Sequence, residues 1–551
     1  MRFCFVSTSR GSHFMTELLG ALASSVRATG HSAELVLDEF SPLVEDLVYV
    51  VIPHEFDAWG SSAGGPDAVQ RARTIALCTE NPGTPWFEQT YRLVAEFGAA
   101  VSINRSSAAE LRRRGIRCEH VQLGYFAGWD RWQRDETAAR PIDVLYLGAA
   151  DERRDPLLAR IGARLWAREC QFLVPPLEPR TAPRPDFLVE TQKYERLASA
   201  KVLLNLHRTT STAFEWMRFL EAICNGCVVV SEPSLDALPL VAGEHFVEAG
   251  AERIPGAIEA LLDDPARLRE MRLGAYDFVR ERLPMAAAGG RLVELASELP
   301  HEPPANRALP AVVASTAAAR PQHSSVASVA PPRRRRLPSL RSVSATLARR
   351  LSTERTAGRL AETPAYEFAD PRVSVLHVAP AERELAATRN QLAANTRSEY
   401  LLVLPAAGGI FPATVERLAR ALDENANALF AYSMIAVLDG REAVELRGSL
   451  PWEPERLRRE NWIDLPVLIR REPLLALGGW ATDPALYGIE DFELWCRCAE
   501  GGYGAAHVPQ VLAWHPRAES SAPRDVASLE PAATALLHER CPRLFGATPA
   551  S

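Results

Sequence analysis

The sequence predicts an α/β protein made of two parallel-sheet units, a linker, and a smaller third α/β unit. Three observations carry this. Over roughly the first 300 residues short apolar runs alternate with amphipathic helical stretches, an order that builds a parallel sheet flanked on both faces. From residue 301 to about 367 the composition shifts to Pro, Ala, Ser and Arg, too poor in apolar side chains to offset the entropy of folding. At Arg372 strand-like and helix-like runs resume. A chain of 551 residues with 47% hydrophobic content can bury about three domain-sized cores.

The first unit opens as βαβ. Residues 2–7 are a strand, a loop with Ser9, Gly11 and His13 leads into a helix to about Arg27, Gly30-His31 stops it, and residues 33–37 form the second strand. Further strands are expected at 47–52, 74–78 and 99–103, then a helix at 106–114 stopped by Gly115 and a return strand near 119–123. His54-Glu55 and Glu80-Asn81 end strands, where loops collect ligands, although a satisfied polar loop residue is the commoner outcome for each. A new strand starts the second unit at Ile142, in IDVLYLGAADERRDPLLARI. Gly148 there lets backbone approach a ligand, and Arg153 or Arg154 could reach a diphosphate; a solvated charge cluster is the competing reading.

Chemistry concentrates in residues 201–232, KVLLNLHRTTSTAFEWMRFLEAICNGCVVVSE. A buried strand with Asn205 ends at His207, a Ser/Thr-rich turn follows, and from Ala213 the pattern is helical until Asn225-Gly226. Glu215, Arg218 and Glu221 recur at three-residue intervals, one drifting stripe of charge on an otherwise apolar helix. Either Arg218 is clamped between two carboxylates as a structural ion pair, or the stripe faces a cleft at the carboxyl edge of a parallel sheet. In the cleft, carboxylates accept hydrogen bonds from sugar or ribose hydroxyls, and arginine with the helix amino end faces phosphate.

This run resembles the donor-site segment of group-one glycosyltransferases of the GT-B fold, in the bacterial branch with N-x-H, E-x-x-R, a Gly-terminated helix and V-V-S-E. The resemblance covers about the first 300 residues and implies two facing Rossmann-like lobes, an acceptor-side lobe at 1–140 and a donor-side lobe at 141–300. It further implies that Glu221 holds the nucleotide ribose. The family's first glutamate, the one that meets the sugar, would fall on Ala213, so that contact passes to Glu215 or His207.

Residues 368–551 resemble family-two glycosyltransferases of the GT-A fold. The matches are PRVSVLHVAP, AATRNQLAANTRSEYLLVLP with Arg389-Asn390 and Tyr400, and an E-D-x-x-L-x-x-R signature at Glu490-Asp491, Leu494-Trp495 and Arg497. The aspartate of that signature is the family's usual base. Where the family carries the D-x-D that bridges a metal to diphosphate, LPAAGG stands at residues 404–409, without a metal ligand. A shortened, degenerate GT-A-like domain without donor binding is expected, with Asp491 and Glu490 either structural or in contact with a glycan.

Composition narrows the function. A net charge of −7 argues against nucleic acid as a partner, and no apolar run reaches the roughly 18 residues of a membrane helix. MRFCFVSTSRG has too short an apolar stretch for a secretory signal. Nine scattered cysteines suit a reducing cytoplasm, and the C-x-x-C of Cys224 and Cys227 reads as core packing. PPRRRR at residues 331–336 and a basic amphipathic helix near 340–360 allow at most peripheral contact with the inner face of a membrane. The expectation is a cytoplasmic glycosyltransferase moving a sugar from a nucleotide-sugar co-substrate to a glycan, lipid-linked or protein acceptor in glycan or surface polysaccharide biosynthesis. The resemblance implies a hexosyltransferase-type reaction with retention of configuration and no cofactor or divalent metal. His207 and Glu215 are the catalytic candidates, and Gly148, Arg153, Arg154, Arg218 and Glu221 the donor-binding ones. The competing class is a glycan-binding or scaffolding protein built from inactive transferase folds. The enzymatic reading requires Glu221 at the mouth of an inter-lobe crevice; a Glu221 walled off far from any such opening would sink it.

Overall fold

The computed structural model describes residues 1–55, 66–94, 97–177, 183–208, 212–299, 370–376, 385–405, 407–517 and 525–546. The arginine run and the helix expected near 340–360 lie outside them. The described residues of 1–303 and 368–551 fall in one compact unit.

The first lobe runs β1 (Arg2–Ser7), α1 (His13–Ala28), β2 (Ser32–Leu37), β3 (Leu47–Val51), α2 (Ala68–Ala72), β4 (Thr74–Cys78), α3 (Pro85–Val94), β5 (Ala99–Ser102), α4 (Arg105–Arg113) and β6 (Cys118–His120). Its strands pair in the order β2-β1-β3-β4-β5-β6, all parallel. β3 and β4 are buried along their whole length, as their unbroken apolar runs require of strands covered on both faces. Chain order reverses between β1 and β3, so the carboxyl ends of these two strands flank the switch point where α/β sheets bind ligands.

The second lobe runs β7 (Ile142–Leu147), α5 (Arg154–Arg164), β8 (Cys170–Leu173), α6 (Glu190–Ala198), β9 (Ala200–Asn205), α7 (Trp216–Cys224), β10 (Val228–Ser231) and β11 (Val247–Glu248). The order β11-β10-β9-β7-β8 is again parallel, with its switch between β7 and β9. α7 begins three residues beyond Ala213, because Ala213 bridges to Leu235 and Phe214 N–H donates to Leu235 O at 3.1 Å, holding that stretch extended. It ends as expected at Gly226, in the left-handed region at φ 68°. Cys224 and Cys227 are buried free thiols within the core.

α8 (Ile254–Leu262), α9 (Pro265–Arg282) and α10 (Ala286–Ser297) follow. α10 lies within the 141–300 stretch expected to form the second lobe, yet it packs on α1 of the first. The chain crosses between lobes twice side by side, where Tyr125 N–H donates to Leu283 O at 2.6 Å and Met285 N–H to Tyr125 O at 2.9 Å. Gly289 lets α10 approach α1: a Cβ there would lie 2.5 Å from the Ser25 carbonyl carbon. Gly289→Val is therefore expected to lower stability by about 1–3 kcal/mol, read from a urea midpoint, and an unshifted midpoint would contradict this contact.

The third sheet joins β12 (Val373–Leu376), β13 (Tyr400–Val403), β14 (Gly409–Ile410), β15 (Ala428–Asp439), β16 (Glu442–Arg447), β17 (Val467–Arg470) and β18 (Gly504–Pro516). Its order is β12-β13-β17-β15-β18-β14, with β16 on β15, and it mixes parallel and antiparallel pairs. This domain is docked on the second lobe. α5 packs against β15, β16 and β18, the Trp166 ring stacks on Phe411 at 6.2 Å, and Arg417 Nη1 donates to Trp166 O at 3.0 Å. Gln510 Nε2 donates to Arg168 O at 2.8 Å, and Arg184 pairs with Glu453 at 2.6 Å. Among the described residues no helix is long and apolar enough to cross a membrane.

Candidate functional site between the two lobes

On the second lobe, the segments leaving β7, β9 and β10 converge. Arg153 Nη1 donates to His207 O at 2.6 Å and to Glu232 Oε2 at 2.9 Å, while Arg153 Nη2 binds Glu232 Oε1. Burial raises the Glu232 carboxyl, but the Arg153 guanidinium and the His207 N–H outweigh it and leave its pKa below the ordinary value. Arg154 is buried and donates through Nε to Leu206 O at 3.0 Å. Arg218 donates through Nη1 to Leu147 O at 2.9 Å and pairs through Nε with Glu215 at 2.9 Å.

His207 lies buried at the centre of this group. Its Nε2 is 3.0 Å from Pro233 O, which can only accept, so Nε2 carries a proton, and Nδ1 lies 3.9 Å from Glu215 Oε1. Gly148 is needed for a local reason, since a Cβ there would fall 2.5 Å from the Tyr146 hydroxyl. Among the described residues, that hydroxyl and Asn205 Oδ1 are buried without a hydrogen-bond partner.

Across from them stand the carboxyl ends of β3, β4 and β6. His54 Nε2 lies 3.5 Å from Glu55 Oε1 and 3.7 Å from Glu80 Oε1, and Glu55 Oε2 accepts the Ser12 N–H at 2.9 Å. Asn81 Oδ1, His120 Nε2 and Gln122 Oε1 are buried and have no hydrogen-bond partner among the described residues. Arg208, next to His207, acts electrostatically on Glu80, and Asp236 Oδ2 accepts the Ser106 N–H at 2.8 Å at the start of α4. The two carboxyl edges thus face each other. Buried polar atoms without partners ordinarily cost about 1–3 kcal/mol each, and among the described residues several gather at the carboxyl ends of the strands in both lobes.

Glu221 does not join them. Its carboxylate is nine-tenths buried and accepts from Lys193 Nζ at 2.7 Å; the same ammonium reaches Glu17 Oε2 at 2.5 Å. Glu17 Oε1 also accepts the Glu190 N–H at 2.6 Å, so a carboxylate on α1 holds the first turn of α6. The expected display of Glu221 to a ribose is corrected accordingly: it is covered, yet it lies on the seam between the lobes rather than away from it. The reason is that the stripe on α7 drifts, bringing Glu215 and Arg218 to the crevice and Glu221 under α6. Arg218 likewise pairs with one carboxylate rather than two.

In the third domain Asp491 Oδ1 accepts from Arg389 Nη1 at 2.9 Å and from Trp480 Nε1 at 2.8 Å. Glu490 is buried, and Glu493 pairs with Arg497 and Arg540. Glu17, Lys193, Tyr146 and Arg208 were not singled out from sequence. Only Glu232 had a signal, as the last residue of V-V-S-E.

Fold and site together define a two-lobed, Rossmann-like α/β protein whose two lobes bring polar and charged side chains together at their sheet edges, with a third α/β domain docked on the second lobe. No family model and no curated protein matches the chain. Solved structures do. The Alr3699/HepE protein of Anabaena in complex with UDP-glucose is similar at a TM-score of 0.38 and 11% identity, over 54% of this chain and 100% of that one. Sucrose-phosphate synthase of Thermosynechococcus elongatus is similar at 0.38 and 10%, over 54% and 99%. A glycosyltransferase from Rickettsia africae is similar at 0.34 and 9%, over 54% and 98%.

Proposed function

We propose that the crevice binds a nucleoside-diphosphate sugar and that the first two lobes transfer its sugar to a hydroxyl acceptor. The observation that carries this is the convergence of Arg153, Arg218 and His207 with the unpartnered Tyr146 and Asn205 at the switch point of the second sheet. A guanidinium has five donors, and among the described residues Arg218 commits only Nε and Nη1 in hydrogen bonds and ion pairing, so donors remain for phosphate oxygens. Glu215, at the start of α7, can stabilise the positive charge that develops at a glycosyl centre, and His207 Nδ1 can orient a hydroxyl. In this reading the diphosphate charge is met by Arg153, Arg154, Arg218 and the α7 amino end, with retention as the resemblance implies. Glu221 meets a ribose only if Lys193 gives way. The third domain is read as a shortened GT-A-like domain, and the double tie on Asp491 Oδ1 supports a structural role that leaves Oδ2 for a glycan hydroxyl. A cytoplasmic setting, up to the inner face of a membrane, belongs to the same proposal, as does an acceptor in glycan or surface polysaccharide synthesis.

The test is a thermal-shift panel on the full chain with UDP, GDP, ADP and their sugars. A nucleotide at 100 times its dissociation constant adds about 2.7 kcal/mol. Arg218→Ala is expected to abolish that stabilisation while the protein still unfolds cooperatively. If no nucleotide raises the melting temperature, the proposal fails. One second reading has its own support: the covered Glu221, with Ala213 where a sugar-contacting glutamate would stand, favours a glycan-binding scaffold. Nucleotide binding without release of sugar from any donor would select it.

A further inference from the structure

We infer that Glu80, backed by His54 and Glu55, forms the acceptor subsite, its carboxylate accepting a hydrogen bond from the hydroxyl to be glycosylated. This rests on the transferase reading above and adds to it a residue and a ligand class on the opposite wall.

Glu80 and Glu55 look alike in sequence and differ in what they are committed to. Glu55 spends Oε2 on the Ser12 N–H, and its carboxylate packs so closely on the first loop that a Cβ at Gly11 would fall 1.8 Å from that oxygen. It is a strut. Glu80 leaves the carboxyl end of β4 with 20% of its side chain exposed, and its nearest ring partner, His54 Nε2, is 3.7 Å away. Its carboxylate is therefore the one that can take a ligand.

His54 sits behind both. It is buried, its Nδ1 lies 3.4 Å from Thr90 Oγ1 on α3, and its Nε2 points between the two carboxylates. Burial pushes its pKa down to about 4, so it stays neutral and orients Glu80 without cancelling its charge. The charged group facing Glu80 from the other lobe is Arg208, adjacent to His207, which brings the carboxylate and the donor-side cluster to one place. Burial pushes the Glu80 carboxyl up to about 7, with Arg208 opposing and Glu55 adding to the rise. Glu80 is thus ionised, and a hydrogen-bond acceptor, above neutrality and protonated below it. Two carboxylates around a neutral imidazole suit a neutral hydroxyl compound and repel a phosphate or carboxylate at the same point.

The experiment uses the full chain, UDP-glucose and GDP-mannose as donors, and water or glycerol as the hydroxyl. Nucleotide release is followed between pH 6 and pH 8, alongside nucleotide affinity by thermal shift. The wild-type rate is expected to fall about ten-fold from pH 8 to pH 6. Glu80→Gln is expected to release nucleotide about ten-fold more slowly at pH 8, with no inflection near neutrality and nucleotide affinity within about two-fold of wild type. Glu80→Asp is expected to keep the inflection at a reduced rate. A Glu80→Gln variant with the wild-type rate and inflection, or one whose only change is weaker nucleotide binding, overturns the inference while leaving the transferase reading intact. Absence of nucleotide binding in the wild type overturns both.

Discussion

Replacing Lys193 by methionine is expected to remove about 3–5 kcal/mol of folding stability, the largest single effect foreseen for this chain. The ammonium is nine-tenths buried between Glu17 on α1 and Glu221 on α7, and it pairs with both. Methionine keeps much of the apolar stem and removes the charge, which leaves two carboxylates close together out of water. Burial already pushes the Glu221 carboxyl upward, with the Lys193 charge opposing and Glu17 adding to the rise. Without the ammonium a folded-state carboxyl pKa stands well above its unfolded value, so the folded state binds the extra proton. Stability of the variant therefore falls as pH rises through that window, and the gap to wild type is wider at pH 8 than at pH 5. Urea midpoints at the two pH values check this. A deficit below 1 kcal/mol, or one that widens toward acid, would contradict the placement of the ion triad. Glu17→Gln with Glu221→Gln in the Lys193→Met background should restore part of the loss.

The second large effect concerns the docked third domain. Gly162 on α5 faces β18 so closely that a Cβ would lie 2.5 Å from Val511 Cγ2 and 2.9 Å from Phe172 Cε2. Neither neighbour can swing aside, since Val511 is short, branched and buried, and Phe172 is in the second-lobe core. Gly162→Leu is expected to cost about 1–3 kcal/mol and to loosen the contact that Trp166, Arg417 and Gln510 complete. The readout is the shape of urea unfolding: one transition in the wild type, two in the variant as the third domain melts apart from the lobes. A single unshifted transition would mean that the interface contributes little. The same contact bears on function, because α5 carries Arg154 at its first position and leads directly from Arg153. Disturbing the docked domain should therefore weaken nucleotide binding through the donor-side arginines.

Much of the fold was legible. The strand runs at Arg2–Ser7, Thr74–Cys78 and Ile142–Leu147 fall where the apolar runs put them. The stop at Gly226 followed from the positive φ that a glycine accepts. The pairing of Glu215 with Arg218 was legible too, since three residues apart on a helix are neighbours. The start of α7 was misjudged because Ala213 and Phe214 bond to Leu235, in a loop beyond the next strand. α10 was assigned to the wrong lobe because its amphipathic pattern states that one face is buried and says nothing of what covers it.

Periodicity and composition sufficed for the alternating elements, the composition break at residue 301, and the carboxyl-edge residues His54, Glu80, Arg153 and His207, because each depends on neighbours within a few residues. The partner of Glu221 did not. Lys193 lies 28 positions before it and Glu17 another 176 before that, and nothing in local spacing pairs them. Charges choose partners through space, by which faces meet when the lobes close on one another and how far water is excluded there. For that reason a glutamate read as open to a ligand became part of the seam, and a glutamate read as an ordinary loop residue became a half-buried carboxylate facing the other lobe.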